Sequence, residues 1–107
     1  MKFIKQIQYW DSPTMVVLTT SDGSGSVRLK KYSEYGYAII SGLYVVADKR
    51  RQGIGTALML EAEKVAGELF PDANATRVTV PSGISKSLFE KLGYTFIFDV
   101  GMKPIKA

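Results

Sequence analysis

The strongest constraint on what this chain can fold into is a helix that starts without an acid. Ile54, Leu58, Ala62, Val65 and Leu69 recur every three to four positions, with Glu61, Glu63, Lys64 and Glu68 on the polar side. A helix N-terminus carries unpaired N–H groups and a partial positive charge, so Asp or Glu is favoured in its first turn. Here no acid occurs from Lys49 to Leu60. Lys49, Arg50 and Arg51 precede Gln52-Gly53-Ile54-Gly55-Thr56, so cations and glycines stand where the acid belongs. The anion position is therefore left open. Gly53 and Gly55 present no side chain, and a bulky negative group can lie directly against the backbone amides. The turn reads as a phosphate cradle.

The cradle is fed by an apolar stretch, Tyr37 to Ala47, that reads as a strand buried on both faces in the middle of a sheet. Two familiar phosphate-binding patterns fail. A P-loop requires Lys after its last glycine, and Thr56 follows Gly55. A dinucleotide fingerprint requires a third glycine where Leu58 stands, and an acid at the end of a second strand. The stretch resembles motif A of the GNAT acetyltransferases, R/Q-x-x-G-x-G/A, with Arg50, Gly53 and Gly55 in the defined positions. Leu43-Tyr44-Val45 is similar to that family's fourth strand, and the helix after the turn to its third helix. Further on, Ser87-Leu88-Phe89-Glu90-Lys91-Leu92-Gly93-Tyr94 is similar to its motif B, A-x-x-L-Y-E-K-L-G-F. The resemblance covers residues 37–100 well; before that it extends only to a set of strands.

Composition narrows the chemistry. There is no cysteine, hence no disulfide framework, thiolate metal site or Cys nucleophile. There is no histidine either, which removes His general bases, Ser–His pairs and His-ligated metals. No metal is expected. The longest apolar run, Tyr37 to Ala47, is interrupted by Ser41 and Gly42 and is shorter than the roughly 20 residues of a membrane helix. No charged-then-apolar leader opens the sequence, so a cytoplasmic protein with no membrane association is expected. The net charge of +4 suits a multiply phosphorylated ligand.

The length fits one domain, 1–107. Residues 3 to 10 read as a strand, broken by Asp11-Ser12-Pro13. Thr14 to Ser21 is a β-branched strand, Asp22-Gly23-Ser24-Gly25 a hairpin turn, and Ser26 to Tyr32 the return strand. Glu34 to Gly36 turns into the central strand. The long helix ends near Phe70, before Pro71-Asp72. Ala75 to Val80 is a fifth strand, Ser85 to Leu92 a short helix stopped by Gly93, and Tyr94 to Val100 a sixth strand. Gly101 to Ala107 is a basic tail with no element assigned. The fold class is α+β: a GNAT-like mixed sheet of about six strands with two main helices. Family members carry two helices between their first two strands. Here strands and turns use up the residues before Leu43, so those helices are reduced or missing.

The resemblance implies a site and an activity. The turn amides from Arg50 through Arg51, Gln52, Gly53, Ile54, Gly55 and Thr56 would hold the pyrophosphate of acetyl-CoA. The pantetheine arm would lie beside Leu43, Tyr44 and Val45, whose backbone polarises the thioester carbonyl. Ser82 matches the family's usual Asn near the motif B helix, and equally reads as a cap for that helix. Phe89 stands where the family usually has a Tyr that protonates the leaving thiolate, and Phe has no proton to give. No general base is assigned: Glu34 and Asp48 read as solvated turn residues.

Three readings follow. The first is an N-acetyltransferase that moves an acetyl group from acetyl-CoA to an amine by direct attack in a ternary complex, since no Cys can carry an acyl group. The second is a non-catalytic acyl-CoA-binding module, suggested by Phe89 and the short front half. The third is a small basic nucleic-acid-binding protein, suggested by Arg28, Lys30 and Lys31 beside Tyr32, Tyr35 and Tyr37; a solvated strand face is preferred there. The pared acceptor side implies a large acceptor or a homodimer.

Overall fold

The computed structural model describes residues 1–32, 36–80 and 86–105. Four strands come first: β1 (Phe3–Trp10), β2 (Ser12–Thr20), β3 (Gly25–Tyr32) and β4 (Tyr37–Val45). They form an antiparallel meander. A single 3-10 turn, Ala47–Lys49, leads toward α1 (Ile54–Leu69). Then follow β5 (Ala75–Thr79), α2 (Ser87–Lys91), β6 (Thr95–Ile97) and β7 (Val100–Pro104). The sheet order is β1-β2-β3-β4-β5-β7-β6, so β4 lies in the middle as its apolar run requires. Among the described residues no helix precedes Ala47, and the expected reduction of the N-terminal helices holds.

Two expectations need correction. The sheet has seven strands, and Tyr94 to Val100 is not one strand. It bends at Phe98, whose φ is +54, into the β6–β7 hairpin. The residues read as a tail become β7, which inserts between β5 and β6. Gly101 makes this possible: a Cβ there would lie 2.7 Å from the Phe96 ring, which crosses the strand at that point. The turn at Phe98-Asp99 contains no Gly, Pro or Asn, so Asp99 alone signals it in the sequence. The central strand also ends at Val45, two residues before Ala47.

The core lies between one sheet face and the helices. Val16, Leu18, Val27, Leu29, Ala38, Ile40 and Val78 meet Ile54, Leu58, Met59, Ala62, Val65 and Ala66 of α1, all buried. α1 has no side-chain N-cap and no acid in its first turn. Packing must therefore hold it, at about 1.5–3 kcal/mol for each fully buried Leu, Val or Met. A buried polar chain ties the far half together. The Tyr94 hydroxyl lies 2.9 Å from Thr76 Oγ1 and donates to Glu63 Oε2 at 3.0 Å, while Lys103 Nζ pairs with Glu63 Oε1 at 2.7 Å. Burial, aided by the Glu63 charge, pushes the Tyr94 phenol well above its ordinary range against the Thr76 bond. Tyr94→Phe leaves Glu63 its lysine and Thr76 its weaker bond to the Lys103 carbonyl. The expected cost is about 1 kcal/mol, read in a thermal melt as a fall of roughly 4–8 °C.

The β2–β3 turn braces the functional end of the sheet. Gly25 N donates to Thr20 Oγ1 at 3.0 Å, and Ser24 N donates to Asp22 Oδ1 at 3.0 Å. The Ser24 hydroxyl and amide, with the Thr20 hydroxyl, hold the Asp22 carboxyl at about 2. Val46 N in turn donates to Ser24 O at 2.8 Å, fixing the end of β4 to this turn. A Cβ at Gly25 would lie 2.9 Å from Leu58 Cδ1 and from Tyr44 O, so only glycine lets β3, β4 and α1 converge here.

Candidate active site

The strand–turn–helix read from the sequence closes around a groove of about 390 Å³. Leu43, Tyr44 and Val45 form one wall, the cations Arg50 and Arg51 the rim, and Gly53, Ile54, Gly55 and Thr56 the helix end. Nine of the expected site residues are thus brought together. Gln52 is exposed but does not line the groove, and Phe89 does not either. Ser82 and Glu34 lie outside the described residues. Lys49 and Leu88 line the groove in addition.

The turn is built by backbone geometry. Gly53 sits at the α1 N-cap with φ +79, a left-handed conformation that glycine adopts freely. Arg51 has φ +65, which costs a residue bearing a Cβ of order 1–2 kcal/mol. Arg50 Nε donates to Val45 O at 3.0 Å and so pins the turn to the end of β4. A Cβ on Gly53 would meet nothing within 4 Å, and one on Gly55 would point at Leu88, Val45 and Leu43 at 3.7–4.0 Å. Side chains at these positions would stand in the groove. With no first-turn acid, the helix amides face three cations and an open concavity. Such a site fits a pyrophosphate.

The groove continues into the sheet. β4 pairs with β5 only from Tyr37 to Ile39, opposite Ala75 to Arg77. Beyond that the two parallel strands part, because the β3–β4 register shifts between Ser26 and Arg28 and Gly42 bulges with φ +64. The gap is a cavity of about 210 Å³ that includes Ser41, Gly42, Leu43, Thr79 and Phe89. Leu43 lines both spaces, so a ligand held at the basic turn can reach along β4 into the gap. The β4 backbone facing the gap makes no ladder bonds to β5 there, which leaves it available to a ligand carbonyl or amide. The interruption at Ser41-Gly42 was the sequence trace of this bulge.

Phe89 borders the gap. Its ring is half-buried, edge-on to Tyr94 at 6.1 Å and to Phe96 at 6.4 Å. Among the described residues no Asp or Glu lines the groove or the gap. Asp48 is exposed in the 3-10 turn. A larger cavity of about 690 Å³ lies between α1 and β7. Its charged pair, Glu63 and Lys103, is already mutually satisfied, and no glycine-opened backbone faces it as at the α1 start.

A family model described as "Acetyltransferase (GNAT) family" matches residues 2–94. No curated protein matches the chain. Among solved structures, an aminoglycoside 6'-N-acetyltransferase complexed with coenzyme A is similar at TM-score 0.73 and 15% identity, over 89% of this chain and 75% of that one. Ard1 from Thermoplasma volcanium is similar at TM-score 0.66 and 19% identity, over 88% and 72%. The GNAT family N-acetyltransferase YhbS from Escherichia coli, in complex with CoA, is similar at TM-score 0.65 and 15% identity, over 86% and 58%. At these identities the likeness is one of fold. The family match takes in the basic turn, both helices and the parted strands, and this chain belongs to the GNAT acetyltransferase family.

Proposed function

We propose that the protein is an acetyl-CoA-dependent N-acetyltransferase acting by direct transfer. The observation that carries this is the continuity of the basic, acid-free helix start with the gap between β4 and β5. The Gly53–Thr56 amides and the flanking cations hold the pyrophosphate. The β4 edge near Leu43 aligns the pantetheine arm and polarises the thioester carbonyl. An acceptor amine then attacks the carbonyl carbon, an N–C bond forms and the C–S bond breaks. The thiolate departs, and the amine proton passes to water, since no described acid lines the gap.

Phe89 and the acid-free gap favour a second reading, a module that binds acyl-CoA without turning it over. Native mass spectrometry of the protein with acetyl-CoA, followed by incubation with peptides bearing free N-termini and lysines, decides. A one-to-one adduct and acetylated peptide are expected. An adduct with no acetylated peptide establishes the binding module, and no adduct overturns both readings.

A further inference from the structure

None of the seven strands contains an Asp or a Glu. Both helices pack on one face of the sheet: α1 through its buried residues, and α2 through Leu88 beside Gly55 and Phe89 beside Tyr94. The opposite face has no helix over it among the described residues. Along that face, Gln8, Met15, Lys30, Ile39, Arg77 and Met102 are successive cross-strand partners, one from each of six adjacent strands. A second row runs Gln6, Val17, Arg28, Ser41. Apolar and cationic residues alternate across the sheet. Met15, Val17, Ile39 and Met102 are half-buried, and Arg28 and Lys30 are exposed.

Among the described residues the cations on this face have no salt-bridge partner. The sole salt bridge among the described residues is Lys103–Glu63, on the helix side. Two of the three are held in position. Arg77 Nη1 donates to Tyr37 Oη at 2.8 Å, and its guanidinium lies 5.4 Å over the Tyr37 ring. The Arg28 guanidinium rests on the bulge: a Cβ at Gly42 would lie 3.0 Å from its Nε and 3.1 Å from its Nη2. Gly42 and Ser41 line the gap between β4 and β5, so the charged rows run up to its mouth.

We propose that this uncovered face is the docking surface for an acidic, amphipathic segment of a partner protein. Charge complementarity selects the occupant. A second copy would set one acid-free cationic face against another. A nucleic acid would need many more phosphate contacts than three cations provide, and it would leave the interleaved apolar residues uncovered. Spacing agrees with the choice. Lys30 and Arg77 are two strands apart, roughly 9–10 Å. Two acids one heptad apart on a helix are separated by about 10.5 Å, with apolar positions between them to meet Ile39. In the transferase reading, on which this last step alone rests, the docked segment also supplies the acceptor amine, because Arg28 holds it at the mouth of the gap.

The test is fluorescence anisotropy without acetyl-CoA. The probe is a labelled synthetic helix with glutamates one heptad apart, leucines between them and one lysine. Binding to the wild-type protein is expected, weakening as salt is raised. An Arg28→Glu/Lys30→Glu double variant, altered only at exposed positions, should bind at least tenfold more weakly. Lys64→Glu, on the exposed side of α1, should stay within twofold, and circular dichroism should be the same for all three. Equal binding of a glutamine-for-glutamate probe, or no loss in the double variant, overturns the proposal. So does tighter binding of an oligothymidylate that the double variant loses, or a sedimentation-detected dimer that it dissociates. Gly55→Glu should bind the probe like wild type, since the groove and this face are separate; failure of the wild-type protein to acetylate a probe that it binds therefore counts against the catalytic reading and not against the surface.

Discussion

Gly55→Glu is expected to lose acetyl-CoA affinity by at least a hundredfold while the protein melts no lower than wild type. The two halves of this result come from one physical fact. A carboxylate in the first turn of a helix complements the unpaired N–H groups and the positive end of the dipole, by about 0.3–1 kcal/mol. Gly55 is not held at positive φ, and its Cβ would make only ordinary contacts with Leu88, Val45 and Leu43. Replacing glycine inside a helix also gains up to about 1 kcal/mol. Stability should therefore hold or rise. The same carboxylate occupies the concavity that the pyrophosphate needs and repels it. Each charge-assisted hydrogen bond lost is worth about 1.5–3 kcal/mol, so two of them exceed a hundredfold. Calorimetric titration and a melt on the same sample check both halves. A folded variant with wild-type affinity would place the cradle elsewhere.

The parts of this protein that were legible in its sequence are those in which one local rule acts alone. The groove at the start of α1 was legible because a missing acid, two glycines and three cations fall within one turn, and the turn closes onto its own neighbours. The α1 face was legible because the period of its apolar residues is the period of the helix. The β6–β7 hairpin was not. Its turn forms at Phe98 under tertiary constraint, with the Val80 amide donating to Asp99 O at 2.8 Å and Phe96 lying over Gly101. A sequence window sees an apolar run followed by a lysine-rich end, and reads strand then tail. The gap between β4 and β5 was hidden for a similar reason. It exists because two segments far apart in sequence stop pairing after Ile39, and only Ser41-Gly42 hints at it. The uncovered basic face depends on register across six strands, which no single stretch encodes.

Phe89→Tyr is expected to speed the chemical step by up to about a hundredfold at saturating acetyl-CoA, roughly 3 kcal/mol of barrier. Phe89 borders the gap with Leu43 and Gly42, so a hydroxyl that enters the gap would stand on the side where the thioester would lie. The nearby Tyr94 cannot stand in for it. Its hydroxyl is committed to Glu63 and Thr76, and burial holds its proton more tightly than an ordinary phenol does. The wild-type enzyme should nonetheless turn over. A CoA thiolate resembles a free Cys thiolate, with a pKa of about 8.5, and it leaves near neutral pH without a donor. The rate advantage of the Tyr variant should therefore shrink as pH rises past that value, where an unassisted thiolate is already the stable product. The opposite result has its own signature. Phe89 also packs edge-on against Tyr94 and Phe96 as a member of the core margin. If the hydroxyl is forced in among them instead, it is buried without a partner at a cost of about 1–3 kcal/mol. Single-turnover kinetics beside a thermal melt separate the two. A variant that is less stable and no faster removes Phe89 from the chemistry and leaves the protein a binder of acyl-CoA.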